Sequence, residues 1–173
     1  MLWTHRDMAI RERARSLLAA EAPSPRKEVI EQYRPVLSLP SDRQRGRVVF
    51  QRECTGCHRL EEKGHDIGPS LTTIRHRTPD EVLTHILDPN REVAQNFVQY
   101  VVITDDGRTF TGVIADETAT SVTLKRPEGA TDQVLRRNIE EISSTGMSLM
   151  PEGLEKKVQP QEMADLIAYL LGG

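Results

Sequence analysis

The spacing of apolar positions changes twice along the chain. Over residues 1–22, Leu2, Met8, Ala9, Ala14, Leu17 and Leu18 recur near the helical period with Arg and Glu between them, which predicts a helix. APSPRK at 22–27 breaks it. Val29, Ile30 and Tyr33 then predict a second helix over about 26–34, closed by Pro35 and Pro40. Two short helices with so little apolar surface do not fold alone, so they need something to dock on. Ser41-Asp42 offers an N-cap for a helix running to about Glu53, with Val48 and Val49 as its expected apolar face. Residues 54–77, with Gly56, Gly64, Gly68 and Pro69, read as loop. Thr78-Pro79-Asp80-Glu81 is a capping box: Thr at the N-cap, Pro at the first helical position and Glu at the third. Val82, Leu83, Ile86 and Leu87 form the stripe that this helix buries, and Asp88-Pro89 stops it.

From 97 to 142 the pattern becomes that of strands. Phe97–Thr104 and Arg108–Asp116 flank an Asp106-Gly107 hairpin turn, with Gly112 as a bend. Ser121–Lys125 and Thr131–Arg136 flank a Pro127-Glu128-Gly129 turn, and Ile139–Ile142 predicts a short fifth strand. Five short strands with tight turns predict a small, strongly bent sheet or barrel. Residues 143–158 read as irregular. Pro160 then opens a last helix with Met163, Leu166, Ile167, Leu170 and Leu171 on one face and Gly172-Gly173 as its stop. The expected architecture is a mainly α core made of 41–96 and 143–173. An inserted β-barrel-like subdomain at 97–142 interrupts it, and helices at 1–36 precede it.

The 173 residues suffice for a core without disulfide staples. Only 4% are aromatic against 28% charged, so the core must rest on Leu, Ile and Val, or on something that is not a side chain. Net charge is −3, without the basic excess of a nucleic-acid binder. Residues 1–60 carry 12 Lys/Arg against 7 Asp/Glu and residues 61–173 carry 11 against 19, which points to separate surfaces. No apolar run approaches the ~20 residues that span a bilayer. The Arg-rich N-terminus lacks the apolar region of a secretory signal.

The chemistry concentrates in Cys54-Thr55-Gly56-Cys57-His58, the attachment signature of c-type haem. Two thiols one turn apart can each form a thioether to a haem vinyl group, and the adjacent histidine can reach the iron. Thr55 and Gly56 are small enough for the porphyrin edge to approach the backbone. Two other readings compete. A structural zinc needs about four ligands and finds no second cysteine pair, only His65 and His76 at unsuitable spacing. A dithiol redox motif expects a strand before it and a helix after it, whereas here a helix precedes it and a Gly-rich loop follows. For the sixth iron position the candidates are Met150 and Met147 in the stretch before the last helix, then Met163, His5, His65, His76 and His85. Met150 is foremost, because Pro151 keeps its backbone out of a helix. Met163 has a packing role in its helix. A carbonyl at Gly68-Pro69 could accept the proton of the other ring nitrogen of His58. Arg75 and Arg91 are candidate partners for the haem propionates by position.

CTGCH, IGPSL, the late MPEGL and the ADLIAYL helix together resemble class I c-type cytochromes over roughly 41–90 and 143–173. ILDPNREV, DGRTFTGVI, IEEI and SLMPEGLEKKV are similar to the haem-binding domain of planctomycetes and verrucomicrobia. The turn pattern of 97–142 resembles an Sm-like or SH3-like barrel. The resemblance implies one covalent haem c with iron, ligated by His58 and Met150, and electron transfer rather than catalysis. It also implies a redox partner, either separate or a fused dehydrogenase, with 1–36 similar to the end of a HEAT-type repeat region. The insert would serve as spacer, docking surface or homodimer contact. Covalent haem implies a periplasmic or otherwise extracytoplasmic site, and so a longer secreted parent for this chain. The alternative is a gas-sensing or peroxidase-like haem with an open sixth position.

Overall fold

The computed structural model describes residues 26–172, so the helix expected over 1–22 lies outside the described residues. Helix α1, Lys27–Tyr33, runs into a 3-10 turn at Arg34–Ser38 that contains Pro35. Helices α2, Arg43–Glu53, α3, Pro79–Leu87, and α4, Pro160–Leu171, form the rest of the helical body. A further 3-10 turn, Leu71–His76, sits within the segment expected to be loop. Among the described residues, no helix is long and apolar enough to cross a membrane.

Side-chain caps set the starts of α2 and α3. The Asp42 carboxylate accepts the N–H groups of Gln44 and Arg45 and so fixes the first turn of α2. Thr78 and Glu81 close a reciprocal capping box on α3, whose Val82, Leu83, Ile86 and Leu87 are all buried. In α4 the expected stripe is buried from Met163 to Leu170, and Gly172 ends the helix in the left-handed conformation that suits glycine.

The inward face of α2 differs from expectation. Val48 is 60% exposed, while Gly46, Val49 and Phe50 are buried. Residues at i, i+3 and i+4 share a helical face, and position 48 points away from position 46. Gly46 is what permits α2 to meet α4. A Cβ at this position would fall 1.9 Å from the main-chain oxygen of Asp165. At the same crossing the Phe50 and Tyr169 rings lie 5.5 Å apart. Buried Asp165 accepts from Arg45 Nε and from the Asp42 N–H, each at 2.7 Å, which ties the N-cap of α2 to the body of α4. Helix α1 docks on this body. Ile30 and Val36 share one apolar cluster with Phe50, Leu83 and Leu166. Tyr33 Oη donates to the Glu155 carbonyl at 2.8 Å, and Arg26 Nε to that of Leu87 at 2.7 Å.

The strands are β1, Val98–Thr104, β2, Thr109–Glu117, β3, Ser121–Lys125, β4, Thr131–Leu135, and β5, Ile139–Ser148. They form one antiparallel sheet in the order β4-β3-β2-β1-β5. Val102, Val122, Leu124 and Val134 make its own small apolar cluster. The barrel expectation is corrected here: the sheet is open. A 3-10 turn at Arg136–Asn138 carries the chain past the end of β4, and β5 then pairs with β1. Strand β4 pairs with β3 and remains the opposite edge. The fifth strand is also longer than the short 139–142 segment expected. Its extension, SSTGMS, carries no apolar alternation and is held by the main-chain ladder to β1.

The crossing gives a measurable expectation. Gly46→Ala should lower unfolding free energy by about 1–3 kcal/mol, the usual cost of overpacking a tight contact. Val48→Ala, two residues away and exposed, should stay within about 0.5 kcal/mol. Urea unfolding of the two variants checks this; equal effects would deny the crossing its role.

Candidate haem site

The cysteine motif prolongs α2 as a turn. The N–H groups of Cys54 and Thr55 donate to the Phe50 carbonyl, and those of Cys57 and His58 to the Cys54 carbonyl at 3.1 and 2.9 Å. The following loop folds back over it. Ile67 and Gly68 both donate to the Cys57 carbonyl, at 3.0 and 2.8 Å, and His65 donates to that of Thr55. Gly64 is required at a positive φ of 98°, where a Cβ would lie 2.1 Å from the His58 carbonyl oxygen.

This loop sets the histidine. His58 Nδ1 lies 2.9 Å from the Pro69 carbonyl oxygen, the partner expected from Gly68-Pro69. A carbonyl only accepts, so Nδ1 carries the hydrogen and Nε2 is the ring nitrogen with a free lone pair. Gly68 lies against the ring itself: a Cβ there would sit 2.5 Å from Cε1. Burial pushes the imidazole pKa down while the Pro69 carbonyl pulls it up, and the net direction is down. His58 is therefore neutral at neutral pH, the form that can ligate a metal.

Cys54, Cys57, His58 and Met150 all line one cavity of about 660 Å³. Its volume lies within the ~300–1,000 Å³ of small-molecule and cofactor sites. Aliphatic side chains such as Ile67, Ile74, Val82 and Leu170 form much of its wall. Burial pushes the Cys54 thiol up to about 12, with the neighbouring Glu53 and Cys57 adding to it, and burial also raises Cys57. Both are protonated thiols at neutral pH, the opposite of the low-pKa thiolate a dithiol redox centre uses. Among the described residues no group of three or more His, Cys, Asp or Glu is placed to hold a metal ion by itself, the arrangement a zinc reading requires. The residues that are present fit haem c: two thiols on one turn, a neutral imidazole with one nitrogen committed, and a thioether in an apolar chamber.

The other candidates fall elsewhere. Met147 lies in β5, is 50% exposed and does not line the cavity. Met163 is fully buried in the apolar cluster of the helical body. His65 and His76 are exposed and away from the cavity wall, and His5 lies outside the described residues. His85 does line the cavity, with Nε2 3.0 Å from the Arg77 guanidinium. Neither arginine expected near the propionates lines it. Arg75 reaches toward Glu61 at 3.5 Å, and Arg91 borders an adjoining polar cleft that shares Arg77, His85 and Glu92 with the cavity. Arg77 is the arginine at the wall, beside His85 and Glu92. Its one sequence signal was its place directly before the Thr78 cap.

Residues 43–111 match the family profile described as cytochrome c. The matched span holds α2, the cysteine loop and α3, and reaches into β2. A stretch of 50 residues is 40% identical to the cytochrome c-553-like protein of Synechocystis sp. (strain ATCC 27184 / PCC 6803 / Kazusa), covering 29% of this chain and 47% of that relative. The chain thus spans about half the length of the curated relative it matches. The cytochrome c family implies a covalent haem c with its iron, consistent with Cys54 and Cys57 on one turn of the wall.

Proposed function

We propose that the chain is the electron-transfer domain of a c-type cytochrome. In this reading Cys54 and Cys57 hold one haem c through thioethers, with His58 and Met150 as its axial ligands. The observation that carries it is the convergence of all four residues, 92 positions apart at the extremes of the His58–Met150 pair, on one cavity. When bound, haem c supplies a one-electron couple between Fe(III) and Fe(II). The chain's part is to position and to exclude water. Pro69 fixes the His58 ring through Nδ1, and Gly68 leaves that ring its space. Met150 is held through its backbone: its N–H donates to Ser148 Oγ at 3.1 Å, and the Ser148 N–H donates to Asn90 Oδ1 at 2.8 Å. The Met150 loop is thereby anchored to the chain just past α3. A His/Met pair and an apolar chamber both favour a raised reduction potential.

A dehydrogenase, separate or fused, is the proposed electron donor, as in the insert-bearing haem domains that the sequence resembles. Covalent attachment fits a periplasmic or other extracytoplasmic setting. With His58 and Met150 both holding it, a bound haem would be left no open position, which is why the reading is electron transfer rather than transformation of a substrate.

Absorption spectra of the haem-loaded chain test the ligands. Wild type should be low-spin with the weak far-red band of iron–methionine ligation. Met150→Ala should lose that band and keep its covalent haem. Persistence of the band would take Met150 out of the ligand set, and a high-spin wild-type spectrum would favour the gas-sensing or peroxidase-like alternative.

Gly68→Ala tests the other side of the site. The added methyl must displace the His58 ring, so the variant should keep covalent haem, develop a high-spin fraction and shift its reduction potential. An unaltered spectrum and potential would remove His58 from the ligand set.

A further inference from the structure

The inserted sheet touches the cysteine loop directly. The Glu128 N–H, in the turn between β3 and β4, donates to the main-chain oxygen of Gly56 at 2.7 Å, and Gly56 stands between the two cysteines. The next residue, Gly129, lies against the His65 ring, where a Cβ would come within 2.8 Å of Nδ1. His65 in turn donates its N–H to the Thr55 carbonyl at 3.1 Å. One turn of the sheet thus engages the loop at two points, Gly56 next to Thr55 and the ring of His65. Glu128 adopts φ 64°, a left-handed conformation that a glutamate rarely takes. With Gly129 at φ 75° it makes the tight turn between β3 and β4, and from that turn its N–H reaches Gly56.

A second part of the sheet faces the cavity. Val113 in β2 is 6% exposed and belongs to neither apolar cluster, yet it lines the cavity. Phe110 and Ile114 pack on the sheet's own cluster. Strand alternation puts Val113 on the opposite face, the one turned to the cysteine loop.

We infer that the inserted sheet is the second wall of the cofactor cavity, with Glu128 and Gly129 as positioning residues that clamp the cysteine loop and Val113 as apolar surface excluding water from the bound group. The role of Val113 rests on the haem reading above; the clamp on the loop does not. A sheet acting as a mere spacer would have neither contact. Covering the cofactor with apolar surface disfavours the more highly charged oxidised iron, so removing that cover lowers the potential.

Two variants test this. The first replaces Pro127-Glu128-Gly129 by Asn-Gly, a two-residue hairpin loop that retains the strand pairing and withdraws the tip. The second is Val113→Thr, which keeps side-chain shape and adds one hydroxyl. In the chain as purified, amide hydrogen exchange at His65, Ile67 and Gly68 should speed up at least ~tenfold in the tip variant, while Val122 and Leu124 stay protected. In the haem-loaded chain, Val113→Thr should lower the midpoint potential while retaining the wild-type ligand band. Unchanged exchange in a tip variant with an intact sheet overturns the clamp. An unchanged potential in Val113→Thr overturns the wall. If the tip variant loses protection throughout the sheet, the Val113→Thr potential decides the inference by itself. If the chain takes up no haem, the electron-transfer reading falls, and the exchange measurement still decides the clamp.

Discussion

The site depends on one close approach, the crossing of α2 and α4 at Gly46. The absent side chain lets the two backbones meet, and Phe50 and Tyr169 fill the space beside the crossing. Asp165 adds direction, since it binds both Arg45 and the N-cap of α2. The C-terminal end of α2 continues into the cysteine turn, and the Met150 loop leads into α4 through the 3-10 turn Leu154–Lys156. Fixing the two helices therefore brings the two proposed axial ligands to one cavity. The Asn90–Ser148 bond adds a second hold on the Met150 loop from the chain just past α3.

Burial then sets the chemistry of the groups delivered there. The same desolvation acts on both residue types in opposite directions, raising the thiols and lowering the imidazole. In each case the neutral form is favoured, so the cavity gathers its donors without gathering charge. The formal charges at its wall belong to Arg77 and Glu92, with His85 beside them and joined to Arg77. That separation suits a cofactor with an apolar ring and acidic substituents.

Local signals were read well from the sequence and distant ones were not. The capping box at Thr78–Glu81 and Ser121–Lys125 as a strand stand as expected, because each is decided within a few residues. The cysteine motif was legible for the same reason. The inward face of α2 was not, since Val48-Val49-Phe50 is a continuous apolar run and only α4 decides which members turn inward. The extension of β5 escaped because its pairing to β1 is main-chain and its side chains are Ser, Thr and Met. Arg77 rather than Arg75 reaches the cavity because the 3-10 turn ends between them, a three-dimensional distinction. The Glu128–Gly56 bond joins two backbone groups 72 residues apart and leaves no trace in residue type.

A sheet of this size between α3 and the Met150 loop would be expected to carry that loop away from the cavity. It does not, because the sheet leaves the helical body and returns to it at one place. Val98, the first residue of β1, pairs with Ser148, the last of β5. Ser148 is also bound to Asn90, just past the end of α3. The entry and exit strands are thus held side by side and secured to the helix that precedes them. Insertions whose ends lie close together leave the host core nearly undisturbed. The sheet therefore leaves the start of the Met150 loop beside α3, while its β3–β4 turn reaches back to the cysteine loop. That geometry reconciles a long insertion with a compact cavity.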